Sequence, residues 1–125
     1  MIEIRTSPIH GKGVFATRDI RENEKICDYI GVEMKWTTFT EKYGKYKYNS
    51  LNTYPMRRIW RIIVAKEEPY KSQNMVNFIN EANDINDVNC VLKCRALYAS
   101  TEIKEGQELL LQYPRGYKRE WKMIF

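Results

Sequence analysis

Histidine and cysteine are scarce in this chain, which has one histidine and three cysteines among 125 residues. An odd number of cysteines argues against a disulfide framework, and the start, MIEIRTSP, lacks the basic and then apolar layout of a signal peptide. Cys27, Cys90 and Cys94 form no C-x-x-C pair, so the sequence predicts no metal site. We interpret all three as small buried hydrophobic side chains.

Long apolar runs are also missing. No stretch approaches the roughly 18 consecutive apolar residues that a membrane-spanning helix requires. The apolar content of 43% is that of an ordinary globular chain, and the length suits one domain with a modest core. We therefore expect one soluble, intracellular domain over residues 1–125 that is not secreted and has no membrane partner.

The net charge of +5 is unevenly distributed. Residues 42–66 carry seven bases, namely Lys42, Lys45, Lys47, Arg57, Arg58, Arg61 and Lys66. Residues 72–92 carry three acids, Glu81, Asp84 and Asp87, and no base. The basic segment suits a polyanion such as DNA and the acidic segment suits a polycation, while two solvated surfaces remain the alternative.

Short segments rich in β-branched and aromatic residues predict a mainly β fold with short helices. The predicted strands are IEIR near the start, GVFAT at 13–17, ICDYIGVEM at 26–34, IWRIIVA at 59–65 and NCVLKCRALYA at 89–99. A short helix is predicted within 37–55 and another over 71–79.

Two segments resemble each other, ATRDIRENEKI at 16–26 and ASTEIKEGQEL at 99–109. Asn23 and Gly106 occupy equivalent places, and asparagine and glycine tolerate a positive φ best. Each segment is predicted to form a strand, a turn and a strand.

The stretch NMVNFINEANDINDVN at 74–89 places asparagine at every third position. Asparagine is a poor helix and strand former because its amide competes for neighbouring backbone groups. An amide can, however, donate to and accept from irregular buried backbone, which is costly to leave unpaired.

Four motifs follow one another in order: SPIHGKGVFAT, DYIG, NFINEA with a later Asn89, and EIKEGQELLLQY. This order resembles the SET-domain protein-lysine methyltransferases, and only residues 35–70, a variable insert, are unmatched. The resemblance implies a fold of several small β-sheets with a knot-like crossing near the C-terminus, and a flanking segment at 114–125. It also implies S-adenosyl-L-methionine as the cofactor.

The same resemblance implies which residues bind the cofactor. They are Gly11, Lys12 and Gly13 in the loop, Asn77, Asn80 and Glu81 in the asparagine segment, and Tyr117 and Trp121 in the flanking segment. Gly11-Lys12-Gly13 taken alone is more typical of a plain turn, and only the other motifs favour a binding loop. For Lys12 the alternative is a solvent-exposed side chain, and for Trp121 an ordinary hydrophobic contact.

The implied catalytic residues are Tyr113, which closes the last motif, and Tyr29, for which a structural role is an equal alternative. The resemblance implies a lysine-containing protein substrate such as a histone, with nucleosomal DNA touching residues 42–66, and a nuclear or host-nuclear location. Glu81 and Ala82 replace the usual histidine and serine after Asn80, and the segment is closest to the PR-type variant. A weakly active or inactive module that binds peptide or chromatin is therefore the alternative. A small basic nucleic-acid-binding protein is a third hypothesis.

Overall fold

The computed structural model describes residues 1–43, 53–65 and 75–113 and divides the chain into two compact units. The first unit consists of Met1–Asp28 and Phe78–Gln112, and the second of Tyr29–Asn77 and Tyr113–Phe125. The described residues form ten strands and one α-helix, with short 3₁₀ turns. The predicted mainly β fold with short helices is confirmed.

The first unit contains three small sheets. Strand β1 (Ile2–Thr6) pairs antiparallel with β2 (Lys12–Ala16), β9 (Ala96–Ala99) lies between β3 (Lys25–Asp28) and β8 (Cys90–Lys93), and β7 (Asn80–Glu81) runs parallel to β10 (Leu110–Leu111). Its fully buried side chains include Val14, Ile20, Ile79, Leu97, Ile103 and Leu109. Strands β2, β9 and β10 are buried along most of their length, so their apolar side chains do not alternate with exposed ones.

The second unit is built on an antiparallel sheet. Its strands are β4 (Val32–Lys35), β5 (Thr53–Met56) and β6 (Arg61–Val64), with β6 in the middle, and helix α1 (Trp36–Tyr43) follows β4 directly. Phe39 of the helix packs with Ile62 and Val64 of the sheet. The edge position of β5 explains how it accommodates Pro55, which has no N–H to donate to a second neighbour.

The two similar segments of the first unit pair with each other. Ile20 and Ile103 exchange backbone hydrogen bonds of 2.7 and 2.9 Å, and both side chains are fully buried. Asn23 and Gly106 have φ of 67° and 86°, which confirms the two predicted turns.

An approximate two-fold symmetry relates the remaining hydrogen bonds of these segments. Ala16 bonds to Gly106 and Gln107 at 2.8 and 2.9 Å, and Ala99 bonds to Asn23 and Glu24 at 2.8 and 3.0 Å. The first residue of each segment, Ala16 or Ala99, therefore forms backbone hydrogen bonds with the turn of the other segment. The similarity of the two sequences did not by itself indicate this pairing.

Two predicted single strands were wrong. The segment at 26–34 divides into β3 and β4, which belong to different units, and the segment at 89–99 is the hairpin of β8 and β9. The hairpin turns at Cys94 and Arg95, whose φ values are 51° and 60°. Two positive φ values suit the twist of a tight hairpin, but neither residue is of the glycine or asparagine type that signals one. Cys94 is consequently exposed, contrary to the prediction that all three cysteines are buried.

The predicted helix within 37–55 is α1, and the described part of the helix predicted over 71–79 is a 3₁₀ turn at Met75–Phe78. No helix in the described ranges is long and apolar enough to cross a membrane. Among the same residues, no three side chains of His, Cys, Asp or Glu gather as metal ligands would.

Candidate functional site

The loop that joins β1 to β2 contains the first motif, and its shape is set locally. The backbone N–H of Ser7 donates to the carbonyl of Gly11 at 2.7 Å, and the Ser7 hydroxyl accepts from the N–H of Ile9 at 3.0 Å. Gly11 has a φ of +46°, and a Cβ added there would meet nothing within 4 Å. Glycine is thus favoured at Gly11 by backbone conformation, and the space beside it is open.

Gly13 is required for a different reason. A Cβ at this position would collide with the carboxylate of Glu108 and lie 3.0 Å from the Cβ of Ser7. The backbone of β2 at Gly13 therefore lies directly against the side chain of Glu108, which belongs to the closing motif EIKEGQELLLQY. The two glycines of the loop serve two purposes, one conformational and one steric.

Asn80 connects this loop to the asparagine segment. Its side chain is fully buried, and its amide nitrogen lies 3.0 Å from each of three acceptors: the carbonyls of His10 and Lys12 and the Oε2 atom of Glu108. Both loop carbonyls that point inward are thus satisfied by one side chain, as buried backbone requires. His10 contributes its backbone carbonyl to this arrangement.

Glu108 completes the arrangement. The Ser7 hydroxyl lies 2.9 Å from both carboxylate oxygens, and the carboxylate also accepts from Asn80. We call Ser7, Asn80 and Glu108 the loop anchor. Their residue numbers are 101 and 28 positions apart, so the fold alone brings them together.

Asn89 acts on the same segment from the other side. Its amide donates to the carbonyl of Glu108 at 2.8 Å and accepts from the N–H of Leu110 at 2.8 Å. The Asn89 side chain therefore donates to and accepts from the backbone at the start of β10, as the backbone of a neighbouring strand would. This explains part of the asparagine pattern, because Asn77, Asn80 and Asn89 are buried while Asn83 is exposed.

The remaining exposed asparagine, Asn86, lies in a short turn whose chemistry is local. Its N–H donates to the carboxylate of Asp84 at 2.8 Å, and the turn continues to Asp87. Both carboxylates are exposed, and Glu81 is half-buried in β7. Of the charged residues that the sequence analysis named as candidates for binding, these three acids and the exposed Lys12 belong to the first unit.

The other predicted site residues belong to the second unit. Tyr29 is buried, with its ring centroid 5.4 Å from that of Tyr54 at an interplanar angle of 44°. Tyr113 is 7% exposed and Asn77 is 3% exposed. Tyr117 and Trp121 lie outside the described residues.

A half-buried thiol, Cys27, and a buried one, Cys90, lie in the first unit. Burial raises the pKa of Cys27 to about 11, and the neighbouring Asp28 carboxylate acts in the same direction. Burial also raises the pKa of Cys90, whose thiol contacts the carbonyl of Leu110 at 3.4 Å. Because a thiolate is the nucleophilic form, neither cysteine is suited to nucleophilic chemistry at neutral pH.

The structure places the Gly11–Gly13 loop beside Asn80 in the first unit, whereas the sequence analysis assigned no role to Ser7 or Glu108. Both residues lie inside the motifs SPIHGKG and EGQEL, but nothing in either motif indicates that the two side chains meet. The fold buries Ser7 and half-buries Glu108, and polar side chains in such places need partners.

The SET-domain family model matches residues 11–114 of this chain. No curated protein gives a significant match. Among solved structures, a humanized mutant of the Chaetomium thermophilum Polycomb Repressive Complex 2 bound to the inhibitor GSK343 superposes with a TM-score of 0.68 at 22% identity. That match covers 99% of this chain and 16% of the other.

The Chaetomium thermophilum Polycomb Repressive Complex 2 bound to GSK126 gives a TM-score of 0.68 at 21% identity, covering 99% of this chain and 17% of the other. An apo form with two substitutions in Ezh2 matches equally, at 21% identity and coverages of 99% and 16%. The chain thus spans about a sixth of the chains it resembles, and the likeness shows a common fold.

Proposed function

This chain belongs to the SET-domain family, a family of lysine methyltransferases, and we propose that it is an S-adenosyl-L-methionine-dependent protein-lysine N-methyltransferase. The observation that carries the proposal is the loop anchor. Three buried or half-buried polar side chains from distant parts of the sequence hold one short glycine loop in a defined shape. A fold that needs only a turn there does not require that arrangement.

The residues present suit the proposed cofactor. The space beside Gly11 is open, and the exposed Lys12 supplies a cation for the carboxylate of a sulfonium amino acid. We propose that the Gly11–Gly13 loop, Asn77, Asn80 and Glu81 hold it, with Asn80 also acting through the loop carbonyls that it binds. Tyr117 and Trp121 are proposed to contribute from outside the described residues.

The cofactor supplies a methyl group on a positively charged sulfur. A neutral lysine Nζ of the substrate would be the acceptor of that methyl group. The amine must be neutral although a free lysine has a pKa near 10.4. Desolvation among aromatic side chains disfavours the ammonium, and we propose Tyr29 and Tyr113 for this environment.

We propose that the Tyr113 hydroxyl orients the lysine nitrogen. Replacing Tyr113 with Phe should lower kcat about 100-fold while changing the Kd of S-adenosyl-L-methionine by less than about 3-fold, since misorientation costs rate and not cofactor binding. The control is Tyr98→Phe, which removes the hydroxyl of a half-buried tyrosine on β9 of the first unit. Activity would be measured as methyl transfer to histones and to a lysine peptide library by mass spectrometry.

If the wild-type protein transfers no methyl to any of these substrates while binding the cofactor, the enzyme proposal fails. Equal rates for the Tyr113→Phe and wild-type proteins would instead refute the role of the tyrosine alone.

The substrate is proposed to be a histone or another basic tail. Glu81, Asp84 and Asp87 form an acidic stretch without a base, and exposed carboxylates raise the local concentration of a lysine-rich peptide. The matched Polycomb complex gives this proposal a chromatin context, and with it a nuclear location. Nucleosomal DNA at residues 42–66 stays a prediction, and Lys42, Arg57, Arg58 and Arg61 are the bases that the structure describes.

The replacement of histidine and serine by Glu81 and Ala82 favours a second candidate, a catalytically silent module that binds peptide or chromatin. Isothermal calorimetry with S-adenosyl-L-methionine separates the two. A micromolar Kd supports the enzyme, whereas peptide binding without cofactor binding supports the silent module.

A further inference from the structure

An exposed tryptophan in the second unit has no structural explanation. Trp60 follows a 3₁₀ turn at Arg57–Ile59 and has φ 53° and ψ 44°, which is the left-handed conformation. Its side chain is 71% exposed. Glycine or asparagine is the usual residue at such a position, because a bulky side chain there is strained.

The backbone holds this strained residue firmly. The N–H of Trp60 lies 3.3 Å from the carbonyl of Arg57, and its own carbonyl accepts from the N–H of Trp36 at 3.1 Å. Because the indole is mostly in solvent, its packing offsets little of the free energy that the strained conformation costs. Strain of this kind that the fold does not require points to function.

Two grooves border Trp60. One, of about 330 Å³, is lined by Lys35, Trp36, Thr37, Ile59, Trp60 and Arg61. The other, of about 380 Å³, is lined by Trp36, Thr40, Arg57 and Trp60. Ile59 is itself 52% exposed, so two large apolar side chains stand together at the surface. We call these grooves and their lining residues the Trp60 surface.

The rim of the Trp60 surface is basic. Arg61 forms an ion pair with Glu33, whereas Lys35, Arg57 and Arg58 make no ion pair with any residue that the structure describes. No carboxylate lines either groove in that part of the chain. A partner that matches this surface must supply negative charge around an apolar centre.

We propose that the Trp60 surface binds an acidic protein segment that inserts an apolar side chain beside Trp60 and Ile59. Tryptophan and arginine are the residues most enriched among those that dominate protein interfaces. The exposed Ile59 distinguishes this partner from a nucleic acid, because a nucleic acid gains from a cation and an aromatic face but little from an aliphatic side chain. The Trp60 surface shares no residue with the loop anchor, and the proposal does not depend on methyl transfer.

The left-handed conformation allows a variant that removes binding without harming the fold. Trp60→Asn should leave the melting temperature unchanged or raise it by about 3 °C, because asparagine tolerates the conformation better than tryptophan. Ile85→Asn is the matched control, since it removes an apolar side chain of similar exposure, 62%, from the first unit.

The binding test begins with a displayed library of random 12-residue peptides selected on the wild-type protein. We expect recovered peptides to be enriched in Asp and Glu around at least one Leu, Ile or Phe. A synthetic copy of the most enriched peptide should bind Trp60→Asn at least about 30-fold more weakly than wild type and Ile85→Asn within about 2-fold. Arg57→Glu combined with Arg58→Glu should also weaken binding about 10-fold or more.

Three outcomes would overturn the proposal. The first is the absence of acidic enrichment, or equal recovery of the same peptides by Trp60→Asn. The second is Trp60-dependent binding of a 20-residue oligothymidylate tighter than that of the selected peptide, which would assign the surface to single-stranded nucleic acid. The third is a dimer in sedimentation velocity that Trp60→Asn abolishes, which would assign it to a second copy of this chain.

Discussion

Replacing Asn80 with Ala tests the loop anchor most directly. The substitution removes an amide nitrogen that lies 3.0 Å from two backbone carbonyls and the Glu108 carboxylate, in a side chain that is fully buried. An NH₂ group has two hydrogens, so the three acceptors share two donors. Leaving a buried acceptor without its donor costs about 1–3 kcal/mol, which gives a loss of about 3 kcal/mol in the free energy of unfolding.

Asn83→Ala is the matched control, because Asn83 belongs to the same asparagine segment and is exposed. Surface substitutions of this kind change the free energy of unfolding by less than about 0.5 kcal/mol. Asn80→Asp should destabilise more than Asn80→Ala at pH 7, since it also places a second carboxylate against Glu108.

Urea unfolding followed by circular dichroism measures these differences. With a slope of about 2 kcal/mol per molar urea, the midpoint of Asn80→Ala should fall by about 1.5 M and that of Asn83→Ala by less than about 0.3 M. The loop anchor would be refuted as a stabilising element by equal midpoints for the two alanine variants.

Three further predictions concern Gly13, the equivalent turns at Asn23 and Gly106, and Cys27. Gly13→Ala should lower the free energy of unfolding by about 1–3 kcal/mol because its Cβ meets the Glu108 carboxylate, and adding Glu108→Ala should cost less in this background than in wild type, as a double-mutant cycle by urea unfolding would show. Gly106→Ala should lower the free energy of unfolding by about 1 kcal/mol because of the φ of +86° alone, whereas Asn23→Gly at the equivalent turn should leave it unchanged or raise it. Thermal melting measures both changes, and a stabilising Gly106→Ala together with a destabilising Asn23→Gly would contradict this reasoning. The free energy of unfolding should fall between pH 9 and 11, because the folded state holds the Cys27 proton with a pKa of about 11 while the unfolded chain releases it near 9.0. Burial raises the pKa of Cys90 as well, so Cys27→Ala should make that slope shallower without abolishing it, and an unchanged slope would contradict the argument.

Sequence predicted the positions of turns better than the extent of strands. Asn23 and Gly106 were placed correctly because a positive φ is a local demand that few residue types meet. The turn at Cys94 and Arg95 was missed because it carries no such residue, although the paired strands on either side of it form a regular hairpin. The division of residues 26–34 was missed because the apolar pattern continues across it.

Within the candidate site, the motifs indicated the loop and Asn80 but not how they are joined. Ser7 and Glu108 had no predicted role, since nothing in either motif shows that the other lies beside it. The asparagine residues recur with one period along the sequence but differ in exposure, since Asn80 and Asn89 are buried and Asn83 is exposed. Which amides are buried depends on where β10 passes, and that is a property of the assembled chain.

By itself, the order of four motifs along the chain was enough to indicate the family, the mainly β class and the glycine loop, because each depends on residue types at short spacing. Only the tertiary structure decided that Glu108 meets Ser7 and Asn80, and that Trp60 stands strained and exposed between two basic-rimmed grooves. The physical reason is that hydrogen bonds and exposure depend on which distant segments come together, and residue spacing along a chain carries no direct record of that.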